Sequence, residues 1–173
     1  MGSTTANLKM PYPVGTDRVA DGDNAMQALA ERVDARVPWG VLAFIENTVQ
    51  LGQSTGGGVD LGTLQRTVTL GSGRRIRILA RCSASSTVPS DIPVIVVRQD
   101  GTQVAACGIV LPPVTAGLGL NIHLVTEISP AAGSHTYSVV GLRAAGTGQV
   151  TFNGAPLDPA MLSIEDIGPV VTT

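Results

Sequence analysis

Beyond Trp39 the chain is a series of short β-type segments punctuated by Gly, Pro, Ser and Thr. The segments 41–46, 64–70, 74–83, 94–99, 102–111, 118–124, 134–142, 148–153 and 161–167 make about nine in all, each bounded by turn residues. No helix-length stretch separates any two of them, which excludes a parallel α/β sheet. In 74–83, Ile76, Ile78, Ala80 and Cys82 alternate with Arg75, Arg77, Leu79 and Arg81, so one face is apolar and the other polar. Leu118, Leu120, Ile122 and Leu124 alternate in the same way with Gly119, Asn121 and His123. Gly71-Ser72-Gly73 reads as a compact hairpin link, and Asp100-Gly101 as the strongest short hairpin signal present. The expected fold is mainly β: an antiparallel β-sandwich, jelly-roll-like, preceded by an extended arm and one short α-helix.

The arm and helix occupy residues 1–38, and the sandwich 39–173. Pro11 and Pro13 hold an extended path around Tyr12, because each proline pushes its predecessor out of the helical region. The cluster Asp21-Gly22-Asp23-Asn24 offers helix caps, with Gln27 in partial capping-box spacing from Asn24. A helix is expected over 24–37, ended by Pro38. Met26, Leu29, Val33 and Val37 form one narrow apolar stripe along it. Such a stripe packs either on the chain's own sheet or against the same helix of symmetry-related copies, as in a coiled-coil seam. Tyr12, Met26, Leu29, Val33, Val37 and Trp39 are the candidate attachment and oligomerisation residues.

Composition favours assembly. Only 14% of residues are charged while 43% are hydrophobic, against about 25% charged in an ordinary soluble domain. Part of the surface is therefore expected to be covered, most simply by further copies; the alternative is a monomer with a Ser/Thr/Gly-rich surface. Net charge is −2, and Arg74, Arg75, Arg77 and Arg81 are not interleaved with aromatics, which argues against nucleic acid. No apolar run approaches the roughly 18 residues of a membrane span, and the N-terminus lacks the pattern of a secretory signal. Cys82 and Cys107 have no metal-ligand spacing; buried free thiols are the default and a disulfide the alternative.

No catalytic pattern stands out. His123 occupies an outward strand position, and His135, after Gly133-Ser134, is placed to hydrogen-bond at a turn. Ser134, His123 and Asp91 can be assembled into a triad on paper, but no nucleophile elbow supports it. Gly56-Gly57-Gly58 lacks the Gly-Lys-Ser/Thr of a phosphate loop and reads as a flexible surface loop. Asp21 and Asp23 lack a calcium-binding loop around them. Glu165 and Asp166 are adjacent, so on a strand they face opposite ways. No cofactor or metal is expected.

Two stretches carry a resemblance. Tyr12-Pro13-Val14-Gly15-Thr16-Asp17, followed by Asp21-Gly22-Asp23-Asn24-Ala25-Met26-Gln27-Ala28-Leu29-Ala30, resembles the opening of minor tail and fibre-like virion proteins of phages infecting actinobacteria. Pro130-Ala131-Ala132-Gly133-Ser134-His135-Thr136-Tyr137 and the ending Pro159-Ala160-Met161-Leu162-Ser163-Ile164-Glu165-Asp166-Ile167-Gly168 look like the same family. Together they cover about a quarter of the 173 residues. The resemblance implies a non-enzymatic virion protein assembled in the host cytoplasm, a homotrimer whose N-terminal segment attaches it to other virion proteins. Lacking collagen-like repeats and a shaft, the chain reads as a compact knob of the tail or adsorption apparatus. A capsid decoration or head-fibre protein is the alternative, as is a knob that binds a glycan of the host cell surface. A cell-wall hydrolase is disfavoured for want of a carboxylate pair or metal cluster.

Overall fold

The computed structural model describes residues 3–4, 11–12, 19–36, 40–109 and 119–169, and within the helix the side chains of 24 and 26–33. The chain forms two compact units, Met1–Pro38 with Gly168–Thr173, and Trp39–Ile167.

In the first unit, β1 (Ser3–Thr4) pairs antiparallel with β2 (Pro11–Tyr12), setting Tyr12 opposite Ser3. The helix α1 spans Val19–Arg36 and so begins ahead of the Asp21–Asn24 cluster expected to cap it. An interior Gly22 costs only about 1 kcal/mol relative to Ala. Acidic residues near a helix start are favoured by the positive end of the macrodipole, so the cluster suits a first turn as well as a cap. Of the expected stripe, Met26 is 66% and Val33 42% exposed, and Leu29 is half-buried. Val37 and Trp39 lie outside the described residues.

Among the described residues, the second unit has ten strands. They are β3 (Gly40–Asn47), β4 (Gln50–Ser54), β5 (Val59–Leu70), β6 (Arg74–Ser86), β7 (Ile92–Gln99), β8 (Thr102–Gly108), β9 (Leu120–Ile128), β10 (Gly133–Ala145), β11 (Val150–Asn153) and β12 (Ala160–Pro169). One sheet has the order β3-β12-β6-β11-β4 with β9 on β6; the other is β5-β10-β7-β8. β3 runs along β12 and β4 along β11, so β3–β4 and β11–β12 are each one strand interrupted at a common joint. Gly154 lies at that joint, its N–H donating to the Val49 carbonyl at 3.0 Å. A Cβ there would fall 1.8 Å from the Asn47 carbonyl oxygen, so only glycine permits this approach.

Counted with those joins, the sandwich has eight strands in the orders first-eighth-third-sixth and second-seventh-fourth-fifth. That is the jelly roll. Strand order lay beyond the sequence pattern, and one expectation is corrected by it. Gly71-Ser72-Gly73 does not close a hairpin, because β5 and β6 lie in different sheets. A short glycine link, with Gly73 at φ +67, reverses the chain; whether the next strand pairs or crosses depends on partners elsewhere. Asp100-Gly101, by contrast, joins the paired strands β7 and β8. Both residues have positive φ, 51° and 82°, as a type I′ turn requires.

The core fills the space between the sheets. β6 supplies Ile76, Ile78, Ala80, Cys82 and Ala84, and β12 supplies Ala160, Leu162 and Ile164. Leu61, Leu64, Ile95, Val97, Tyr137 and Val139 meet them from the opposite sheet. Each fully buried Leu or Ile contributes about 1.5–3 kcal/mol relative to exposure. Phe152 lies against Gly141, where a Cβ would sit 2.5 Å from its ring. Cys82 is in the core and Cys107 half-buried, both as free thiols; burial pushes the Cys82 thiol up to about 12.

The inward phase of β6 also carries Arg74 into the core edge, 3% exposed, where its Nη2 lies 2.7 Å from Asp166 Oδ2. Asp166 has the inward phase of β12, and Glu165 the outward one. Removing one partner of such a pair strands a buried charge. Arg74→Met is therefore expected to destabilise the fold by about 3–5 kcal/mol, with Asp166→Leu in the same chain recovering much of the loss. Urea unfolding of both variants checks this; a single variant as stable as the parent contradicts it.

Candidate functional site

Strand alternation makes the outer face of the β3–β12–β6–β9 sheet a defined array. Odd residues of β6 point outward and even residues inward. Register then fixes the neighbours: Arg77 lies opposite Glu127, Leu79 opposite Val125, and Arg81 opposite His123. On β3, Val41, Phe44 and Glu46 stand opposite Glu165, Ser163 and Met161 of β12.

Three rows cross this sheet. The middle row is apolar and staggered: Val125, 61% exposed, stands opposite half-buried Leu79, and Phe44, 50% exposed, stands opposite Ser163, two residues along β12 from half-buried Met161. Leu79, Val125 and Met161, with Arg81 and His123, line a shallow depression of about 240 Å³. On one side lies a row of charge. Arg77 donates to Glu127 from Nη2 at 2.9 Å and Nε at 3.2 Å, and its Nη1 lies 4.0 Å from Glu165. On the other side Arg81 reaches Asp158 at 3.1 Å and the Pro159 carbonyl at 2.9 Å. Leu157, beside Asp158, is fully exposed. An apolar centre with a charged rim is the anatomy of a protein–protein contact surface.

The outer face of the other sheet is different in kind. Gln65, Thr69 and Ser134 are exposed there, and the hydroxyls of Thr67 and Thr136 bond to each other at 2.8 Å. Its outward Val96 and Val140, by contrast, are buried.

Polar groups at the two ends of the sandwich hold loops. At one end the buried Asp91 accepts from the amides of Thr147 at 2.9 Å and Gly148 at 3.2 Å, and from the Ser86 hydroxyl. Burial alone pushes the Asp91 carboxyl up, but Ser86, the two amides and Arg143 outweigh it and hold the group below the usual carboxylate range. Arg143 donates to the carbonyls of Gly148 and Thr55, while Ser54 Oγ donates to the Gly57 carbonyl at 2.6 Å. The Gly56–Gly58 loop is thus tied down at its base by side chains that the sequence reading did not connect to it. Apart from the Ser86–Asp91 bond, the hydrogen bonds named in this cluster go to backbone.

At the other end His135 bridges two turns, its Nδ1 at 2.7 Å from Asp100 Oδ2 and its Nε2 at 3.0 Å from the Ala131 carbonyl. Asp100 Oδ1 also accepts from the Thr136 amide at 2.8 Å. This is the turn-bonding role expected for His135. Tyr137 is fully buried next to it, its phenol pushed up to about 12 by burial and by the Asp100 charge.

The paper triad is dispersed. His123 is exposed on the outer face of one sheet, Ser134 lies on the other, and Asp91 is buried in its loop cluster. Among the described residues no group of three or more His, Cys, Asp or Glu is placed to hold a metal ion, and no helix is long and apolar enough to cross a membrane. Of the attachment residues, Met26, Leu29 and Val33 lie on one helix; Tyr12 is in β2. The apolar row of Phe44, Leu79, Val125 and Met161 was not singled out. Its signal was present as out-of-phase apolar residues, Leu79 among arginines and Val125 between His123 and Glu127.

No family model matches the chain, and no curated protein matches it. Among solved structures, it is similar to the C-terminal domain of EclA, described as a sugar-binding protein. Identity is 17%, the match covers 71% of this chain and 77% of that one, and the TM-score is 0.39.

The Asp100–His135 contact is expected to give the stability a pH signature. The bond to Asp100, then that to Ala131, raises the His135 pKa; bonds from His135 and Thr136 lower that of Asp100. The histidine's contribution is full below its unfolded value of about 6.5 and lost as pH rises through the raised folded value. The aspartate's is full above about 3.9 and lost as pH falls through the lowered one. Asp100→Asn keeps a residue tolerant of positive φ and removes the charge. Its urea midpoint should fall furthest below the parent's near about pH 5.5, between those two values, and the gap should narrow by about pH 9; an equal gap at both contradicts the assignment.

Proposed function

We propose that this protein is a non-enzymatic structural protein of a bacteriophage virion. It is a compact oligomeric accessory protein of the tail or adsorption apparatus, anchored by its N-terminal segment, with the jelly roll as a projecting knob. The observation that carries this reading is the helix Val19–Arg36, two of whose stripe residues are exposed, Met26 at 66% and Val33 at 42%. A helix of this length is marginal by itself and takes its stability from packing an apolar face. The same helix of neighbouring copies offers the matching seam. The N-terminal and C-terminal stretches resemble those of actinobacterial phage tail proteins, and the low charge content suits a chain that is covered by copies of itself.

Gold-labelled antibody against the jelly roll, applied to intact particles, tests the reading. Label at the tail tip is expected. Label spread over the head makes it a decoration protein instead, and virions without label overturn the virion role. Within the particle, the paired substitution Met26→Asp and Val33→Asp is expected to abolish incorporation while leaving the jelly roll folded. Full incorporation of that variant counts against the helix as anchor.

A further inference from the structure

We propose that the outer face of the β3–β12–β6–β9 sheet is buried against a second copy of this chain. The inference rests on the reading of the protein as an assembling chain, but on a different surface from the helix.

Three observations carry it. The first is chemical asymmetry between two faces of one fold. The outer face of the β5–β10–β7–β8 sheet exposes Gln65, Thr67, Thr69 and Ser134 and buries its outward Val96 and Val140, whereas this one leaves Phe44 and Val125 exposed, with Leu79 and Met161 half-buried. Exposed apolar side chains scattered singly need no explanation; several on one face with a charged rim mark a contact surface.

The second is charge. Along the rim, acids and bases alternate from strand to strand, with Glu165, Arg77 and Glu127 on β12, β6 and β9. A copy displaced by one strand spacing, about 4.8 Å, sets its arginine over a carboxylate of its neighbour. A face of one sign would select a partner of the other sign; a face alternating in both is suited to itself.

The third is size. Four strands at about 4.8 Å and about nine residues at about 3.3 Å give a face of roughly 19 by 30 Å. That is roughly 600 Å² in plan, and side-chain relief brings it close to the roughly 800 Å² per partner of a stable interface. Leu157, fully exposed beside the Asp158 that pairs with Arg81, extends the apolar surface at one edge.

The test uses the full chain and reads its mass by native mass spectrometry and sedimentation velocity over a concentration series. Val125→Glu and Phe44→Glu place a charge at opposite ends of the apolar row, and Thr69→Glu places one on the other sheet. All three positions are exposed, and circular dichroism verifies each fold. The two row variants are expected to weaken self-association at least about tenfold, with Thr69→Glu matching the parent. Row variants that associate like the parent overturn the proposal, as does a parent chain that is monomeric throughout. A chain that survives the row variants but dissociates with Met26→Asp and Val33→Asp overturns the sheet contact and leaves the helix anchor standing. Association lost in the row variants, together with virions that carry no gold label, overturns the virion role and supports this contact.

Discussion

The two-residue period of β6 is the constraint on which the rest of the jelly roll depends. This strand is paired along both edges, with β9 on one side and β12 and β11 on the other. Its even residues build the core and its odd residues the outer face. A slip of one residue would exchange the two sets, putting arginines inward and isoleucines into solvent. Arg74 and Asp166 act on the same choice. Both sit at inward positions of neighbouring strands and meet as a buried ion pair. A buried pair of this kind adds little net stability against an apolar replacement, yet misplacing it strands two charges. Its effect here is to penalise wrong register.

The jelly roll was legible in part because period-2 alternation is a local property. Strand positions, the Asp100-Gly101 hairpin and the opposite orientations of Glu165 and Asp166 all follow from residues close together in the chain. Pairing does not. The first strand meets the eighth and the second meets the seventh, across separations that leave no trace in local pattern. Gly71-Ser72-Gly73 shows the limit: a compact glycine link looks the same whether the flanking strands pair or cross the core to opposite sheets. β4 was missed for a related reason. Gln50–Ser54 was not among the expected segments, and it is a strand because β11 supplies its hydrogen bonds.

The outer face divides in the same way. Arg75, Arg77 and Arg81 could be grouped on one side of a strand from the sequence. That this side also carries Leu79 was equally plain, but one leucine among arginines is not a surface. The row appears only when β9 brings Val125 against Leu79, and β12 and β3 bring Met161 and Phe44. The Asp91 cluster was hidden more deeply, since Ser86 and Asp91 come from the β6–β7 connection and Arg143, Thr147 and Gly148 from the β10–β11 connection. Gly146 and Gly148 are close enough to Asp91 that a Cβ would overlap its carboxylate, yet glycines in a loop are too common to point to it.

Composition ties these surfaces together. With 14% of residues charged, the chain has few ionic groups for its surface, and much of its acid and base is committed to internal pairs or loop ties. Arg74 and Asp166 are buried, Arg143 and Asp91 hold loop backbone, and Asp100 holds His135. The sheet rim keeps Arg77, Arg81, Glu127, Glu165 and Asp158, arranged around apolar residues. Low charge on a monomer lowers its solubility and invites non-specific contact. On the β3–β12–β6–β9 sheet the rim charges border an apolar patch, where in the proposed contact they would select orientation and partner as well as hydrate.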